Sequence, residues 1–425
     1  MSNRILFRGA IFLSVVAASA CTDKTAKVLG PRLSDANSIF QSYVALGNSI
    51  TAGYQSAGIS DSTQQRSYAV RLGRDIMGTR FAYASLANPG CPPPIANFLT
   101  QARVAGPAGA PASTSSTCYL RAGTTAILNN VAVPGATTFD PDAPSSTLTP
   151  SANLLTQLIL GGENQVQRAR EADPTFASVW IGNNDVLAAA VAGMLTATPG
   201  ISPGVTAQPT FQANYDKLIT DLTTDNSNLK GVLIGVVNVA NAPILFSGRV
   251  LQSPAFLGAL SQATGKTVTA DPTTCTATTN SLISFQIVAA IKAGTHPSTI
   301  FCEKTAQPPV GDVFVLDSGE LATLATYIGN VNAYISGKAQ AIGFAYLDPN
   351  KALDSLKLKG EISPLGPNFA APTAPFGKWI SLDGVHPSTC AHILIADYLV
   401  DAINGKYNTT LTKLAVPAGT TCPEK

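Results

Sequence analysis

Four short apolar runs constrain the fold most: Ser42–Leu46 (SYVAL), Phe176–Ile181 (FASVWI), Gly231–Val239 (GVLIGVVNV) and Gly343–Leu347 (GFAYL). Each is continuous rather than alternating, the pattern of strands covered on both faces. Gly47 and Gly182 follow the first two directly, so those strands feed turns. Between the runs lie helical stripes. Phe211, Tyr215, Leu218 and Leu222 recur at helical spacing before the third run, and Leu321, Leu324, Ile328, Val331 and Ile335 do so before the fourth. A last helix is expected after Pro387-Ser388, running to about Asn404, with Ile395, Leu399 and Ile403 on one stripe and Gly405 as its stop. Strands alternating with helices imply a parallel sheet with helices on both faces. Residues 88–125 and 242–312 break the alternation and read as insertions.

At 425 residues the chain is long enough for two or three ordinary domains, or for one domain with large insertions. Charged residues make up 12%, against roughly 25% in soluble domains, while Gly (35) and Pro (29) are plentiful, which points to extensive loops. Lys and Arg (27) nearly balance Asp and Glu (25), so no electrostatic footprint favours nucleic acid or an anionic membrane surface. No apolar stretch approaches the roughly 20 residues that span a bilayer, and the hydrophobic content is too high for a disordered chain.

The amino terminus has the order of an export signal: Arg4 and Arg8, the apolar stretch Ala10–Ala17, then Ala18-Ser19-Ala20 before Cys21. A cysteine at the cleavage point resembles the lipobox of bacterial lipoproteins, in which it becomes the lipid-carrying first residue. The expectation is an exported outer-membrane or periplasmic lipoprotein attached through Cys21. Because Ala18 stands where Leu is usual, plain secretion after A-x-A cleavage is the alternative, followed by an uncleaved anchor.

The six remaining cysteines, Cys91, Cys118, Cys275, Cys302, Cys390 and Cys422, suggest disulfides in an exported chain. Six cysteines allow 15 connectivities, and the sequence does not choose among them. Pairing in chain order is expected because each pair would close a Pro/Thr/Ser-rich stretch of similar length; one or two free thiols are the alternative. No spacing of Cys or His suggests a metal, and no cofactor is expected.

Chemistry-bearing residues gather in four segments. Gly47-Asn48-Ser49 ends the first run, where a serine at a strand-to-helix turn can expose its hydroxyl. Asn130–Thr137 ends another expected strand at Gly135, which read alone supplies only a turn. Gly182-Asn183-Asn184-Asp185 ends the second run, and Asn184 there could be a helix cap. Asp383-Gly384-Val385-His386 precedes the last helix, where His386 could be a cap or a packed side chain. Ligands of open parallel sheets bind beyond the carboxyl ends of the strands, where these segments sit.

Ser49, Gly135, Asn184 and His386, in this order and with these flanks, resemble the four blocks of the SGNH (GDSL-type) hydrolase family. The DxxH segment and GxND are the most specific parts. The resemblance implies Ser49 as nucleophile, His386 as general base and Asp383 as the acid that orients it. The backbone N–H groups of Ser49 and Gly135 and the side-chain amide of Asn184 would form the oxyanion hole. Asn48 and Ile50 depart from the family's usual Asp and Leu, which affects hydrogen bonding beside the nucleophile. Ser67-Tyr68 and Pro89-Gly90-Cys91-Pro92 are similar to segments of a subset of larger bacterial members.

The expected fold is therefore α/β, a flavodoxin-like three-layer α/β/α sandwich with a mostly parallel five-stranded sheet and large loop insertions. A serine at 49 and a histidine at 386 meet only if one sheet spans nearly the whole mature chain. The expected division is a signal peptide over 1–20, a linker over 21–38, one hydrolase domain over 39–410 and a tail over 411–425. The expected activity is hydrolysis of small-molecule or lipid carboxylic esters through an acyl-enzyme. A carbohydrate O-deacetylase or phospholipase of the same family, and a surface lipoprotein that binds acylated ligands without turnover, are the alternatives. His296-Pro297-Ser298 repeats the HPS of the last segment but lacks the preceding aspartate, and reads as a surface histidine. His392 reads as structural. Gly265-Lys266-Thr267 reads as a turn, since Leu260 stands where a phosphate-binding loop needs glycine.

Overall fold

The computed structural model describes residues 39–104, 127–144, 155–156, 158–195, 204–303, 314–362, 366–416 and 422. The central sheet has four regular parallel strands, β1 (Tyr43–Gly47), β2 (Phe176–Trp180), β3 (Lys230–Ile234) and β4 (Ala345–Leu347), in that spatial order. Register pairs Tyr43 with Phe176, Gly47 with Trp180 and Ala177 with Gly231. The fifth expected strand is an irregular segment on the free edge of β1. Ala45 N–H donates to Asn129 O (2.7 Å), and Val131 and Val133 N–H donate back to Ala45 O and Gly47 O. Counted in chain order, the strands then lie 2-1-3-4-5, the flavodoxin-like arrangement, whose ligand site is the crevice at the strand-order switch beside β1.

Side chains alternate along each strand between two cores. Val44, Leu46, Ala177, Val179 and Leu233 face one core, roofed by the helices Gln208–Thr223 and Ser318–Ala341. Tyr43, Ala45, Phe176, Trp180, Val232 and Ile234 face the other, roofed by Tyr68–Met77 and Thr389–Tyr407. The stripes read from the sequence are the buried ones: Phe211, Tyr215, Leu218 and Leu222 on one helix, and Leu324, Ile328, Val331 and Ile335 on another.

Two element ends differ from expectation. The third apolar run stops being a strand at Ile234, because side-chain amides replace the ladder beyond it. Asn332 bonds both backbone groups of Val236, and Asn183 Oδ1 accepts from Val237 N–H (2.9 Å). The last helix continues past Gly405 to Tyr407 and closes at Asn408, which adopts a left-handed φ of 53°.

Beyond β3 the chain leaves the sheet. Leu245–Ser247, Leu282–Ser284 and Val315–Leu316 form a small antiparallel sheet, and the helices Pro254–Thr264 and Gln286–Ala293 pack on a core that includes Phe246, Leu260, Ile287 and Ile291. The disulfide Cys275–Cys302 lies in that core, and Cys390–Cys422 ties the last helix to the tail. Cys91 is disulfide-bonded as well; Cys118, its expected partner, lies outside the described residues, as does Cys21. The tail is docked: Leu414 N–H donates to Asp397 (2.9 Å) and Arg71 to Ala415 O (2.6 Å). No helix among the described residues is long and apolar enough to cross a membrane.

Candidate active site

β1 ends at Gly47, where any side chain would collide. A Cβ there would lie 2.6 Å from the Trp180 carbonyl oxygen and 2.4 Å from Thr51 Oγ1. The Gln165 side-chain amide grips both backbone groups of Gly47, accepting at 2.9 Å and donating at 3.0 Å. Asn48 then caps the short helix Ser49–Ala52 by accepting from Ile50 N–H (3.2 Å), which sets Ser49 at its first position. That bond needs only an oxygen acceptor, so Asn48 serves it as an aspartate would. The other end of this helix is held through Thr51 O, which accepts from Ser67 Oγ (2.7 Å) and Asn130 Nδ2 (2.8 Å). Tyr68 adds a hydroxyl contact to Thr51 Oγ1 (2.8 Å).

The Asp383–His386 loop meets this helix from the far end of the chain. His386 Nε2 lies 2.9 Å from Ser49 Oγ, and His386 Nδ1 lies 2.8 Å from Asp383 Oδ2. Asp383 also accepts from the backbone N–H groups of Ala57 (2.7 Å), Val385 (2.9 Å) and His386 (2.8 Å) and from Ser381 Oγ (3.1 Å). Burial by itself raises its pKa, but the electrostatic effect of the neighbouring His386 ring and these hydrogen bonds outweigh that and hold the carboxyl down at about 2. The Tyr54 ring packs 4.8 Å from the His386 ring.

Asn184 is the first residue of the helix Asn184–Val191 rather than its cap. Its Nδ2 donates to Ala136 O (2.8 Å), joining it to the turn of Gly135, whose φ of 85° suits glycine. Ser49, Asn184 and His386 line one cleft together with Asn48, Asn183 and Val385; Asp383 stands behind His386, and Gly135 is not part of that lining. Asp185 braces the same corner, accepting from Thr138 N–H (2.9 Å) and Thr138 Oγ1 (2.7 Å). Its burial, opposed by these hydrogen bonds, raises its pKa to about 6.

The GDSL-like Lipase/Acylhydrolase family model matches residues 43–399. The chain belongs to that family. No curated protein matches it. Membership in this lipase and acylhydrolase family makes it a hydrolase, and the three-layer fold agrees with that assignment.

The GDSL-family segments named from sequence thus converge, while the histidines outside them do not. His392 is wholly buried under Tyr68, its Nδ1 accepting from Tyr68 N–H (3.2 Å). Burial, with the electrostatic effect of His386 and Arg71 nearby, lowers its pKa to about 3, so the ring is neutral. His296 is not on the surface as expected. It is 9% exposed, its ring 6.1 Å from Phe314 at the insertion's core, and Nδ1 meets Pro297 O (2.7 Å). Gly265 ends its helix in a left-handed turn. Among the described residues no cluster of His, Cys, Asp and Glu could hold a metal ion. Sequence reasoning missed Gln165, Tyr54, Ser381 and the Ala57 N–H. The roles of Gln165, Tyr54 and Ala57 rest on contacts between distant segments, while Ser381 lies only two residues from Asp383 and carries no motif of its own.

Proposed function

We propose that this protein hydrolyses carboxylic esters through an acyl-enzyme formed on Ser49. The observation that carries the reading is the hydrogen-bonded line from Ser49 Oγ through the His386 ring to Asp383, opening on the cleft that Asn184 also lines. In the first half-reaction His386 Nε2 takes the hydroxyl proton as Ser49 Oγ bonds to the acyl carbon. Asp383, ionised, holds the proton on Nδ1 and so keeps Nε2 free to accept. The backbone N–H groups of Ser49 and Gly135 and the Asn184 amide stabilise the negative oxygen of the tetrahedral intermediate. The alcohol leaves with the proton from His386. Water then repeats the sequence: Nε2 accepts its proton, the hydroxide adds to the acyl carbon, and collapse returns a hydrogen to Ser49 and releases the carboxylic acid.

We place the enzyme outside the cytoplasm, as a lipoprotein anchored through Cys21. The charged and apolar leader before Cys21 and the disulfides Cys275–Cys302 and Cys390–Cys422 support this. Labelling with a fluorophosphonate tests the chemistry. The wild type is expected to label and to hydrolyse p-nitrophenyl acetate, and Ser49→Ala to do neither. Folded wild-type protein that neither labels nor turns over the ester would refute the proposal.

A further inference from the structure

The cleft at Ser49 is small, 60 Å³, and a second cavity of 90 Å³ lies beside it. The two share Ile50, Val237, Leu353, Ile380 and Val385 as a common wall. Ile50 follows the serine directly and Val385 precedes His386. The second cavity runs between the helix Pro349–Leu358 and the last helix, Thr389–Tyr407, and both tryptophans of the chain, Trp180 and Trp379, line it.

Three of its polar side chains have hydrogen-bond partners. Trp180 Nε1 donates to Gly235 O (2.9 Å), Trp379 Nε1 to Glu361 Oε2 (2.5 Å), and Asp348 accepts from Asn350 N–H (3.0 Å). Among the described residues, none of the buried side-chain polar atoms lacking a partner belongs to this slot. Two of them, Asn48 Nδ2 and Asn183 Nδ2, belong instead to residues lining the Ser49 cleft. A sugar ring placed in the slot would lose hydrogen bonds to water and find few partners in a lining that is mostly aliphatic and aromatic, whereas an alkyl chain loses nothing.

We infer that this slot holds the aliphatic acyl chain of the ester, and that the enzyme selects medium-length acyl esters over acetyl esters. The inference rests on the reading of Ser49 as nucleophile. It follows from the shared wall: an acyl carbon bonded to Ser49 Oγ starts its chain against Ile50 and Val385, and these apolar side chains also line the second cavity, with Leu353 and the tryptophans beyond them. Each methylene buried in such a slot is worth about a fourfold gain in binding.

The test is a series of p-nitrophenyl acetate, butyrate, hexanoate and octanoate, measured as kcat/KM on the full chain and on Ala352→Phe. Ala352 is half-buried on the helical wall of the slot, so phenylalanine would fill it. The expected result is a rise of tenfold or more from acetate to hexanoate, and a fall of tenfold or more in the hexanoate-to-acetate ratio in the variant. In Ser49→Ala, which removes turnover, octanoate should produce a saturable change in tryptophan fluorescence. Ser49-dependent turnover that is greatest on acetate, with no fluorescence response to octanoate, would overturn the slot and leave the serine hydrolase standing. Absence of Ser49-dependent turnover on every ester would overturn both.

Discussion

His386 Nε2 lies 2.9 Å from Ser49 Oγ although 337 residues separate the two in the chain. The distance is short enough for direct proton transfer, and it is set by two segments that are also tied to each other, since Ala57, which holds Asp383, follows the serine's helix. Gln165 and Asn130 hold the serine's turn, and Asp383 with the Ala57 N–H holds the histidine's loop.

Replacing His386 by Ala should therefore lower kcat on p-nitrophenyl butyrate by about 10⁴-fold or more while leaving thermal unfolding cooperative. The imidazole lies on a loop and is not a core side chain. Steady-state kinetics beside calorimetry check this, and wild-type turnover in the variant would remove His386 from the mechanism.

Asn184→Ala should reduce kcat on the order of 100-fold, with KM changed far less, because an oxyanion donor acts on the transition state more than on bound substrate. The same truncation frees the Ala136 carbonyl, so a modest loss of stability is expected alongside. A drop in stability with kcat unchanged would make Asn184 a purely structural brace.

The Asp383 carboxyl, held at about 2 against an ordinary 3.8, gives a signed prediction for acid. A depressed carboxylate stabilises the fold above its unfolded pKa, and that contribution is lost as pH falls through about 2. The stability gap between wild type and Asp383→Asn should thus be full above pH 4 and shrink toward pH 2. Chemical unfolding across that range measures it. The variant should also lose about 10⁴-fold in kcat at neutral pH, because an amide in that place no longer fixes the working tautomer.

Asp185 has the opposite sign. Its pKa is raised to about 6, so the neutral form is the one the fold prefers, and its contribution, full below 3.8, is lost as pH rises through about 6. Asp185→Asn should flatten the dependence of stability on pH between 4 and 6 relative to wild type. Its kcat should fall less than in Asn184→Ala, because Asp185 braces Thr138 rather than lining the cleft. An identical pH profile in variant and wild type would show that the carboxyl does not titrate in this window.

Much of this molecule is local and so readable along the chain. Continuous apolar runs mark strands covered on both faces, and the stripe from Phe211 to Leu222 marks a helix, because burial of apolar surface imposes those periods on the sequence itself. Ser49, Asn184, Asp383 and His386 were legible only through the resemblance of their segments, taken together, to the blocks of a known family, since each segment alone offered no more than a turn or a cap. Element ends were less so. The third strand ends where the amides of Asn332, on a helix, and Asn183, at the start of another, arrive, and the last helix outruns Gly405 to Tyr407, whose hydroxyl is held by both backbone groups of Gly231.

The amino-acid sequence by itself determined the strands, the helices and the residue types that carry chemistry, because those depend on side chains a few positions apart. Only the tertiary structure decided which distant groups meet: Gln165 on Gly47, the Ala57 N–H on Asp383, His296 inside the insertion, and an apolar slot beside the serine's cleft. These are contacts across more than a hundred residues or between separate elements, selected by packing and by the need to pair every buried polar group. No local pattern in the chain records them.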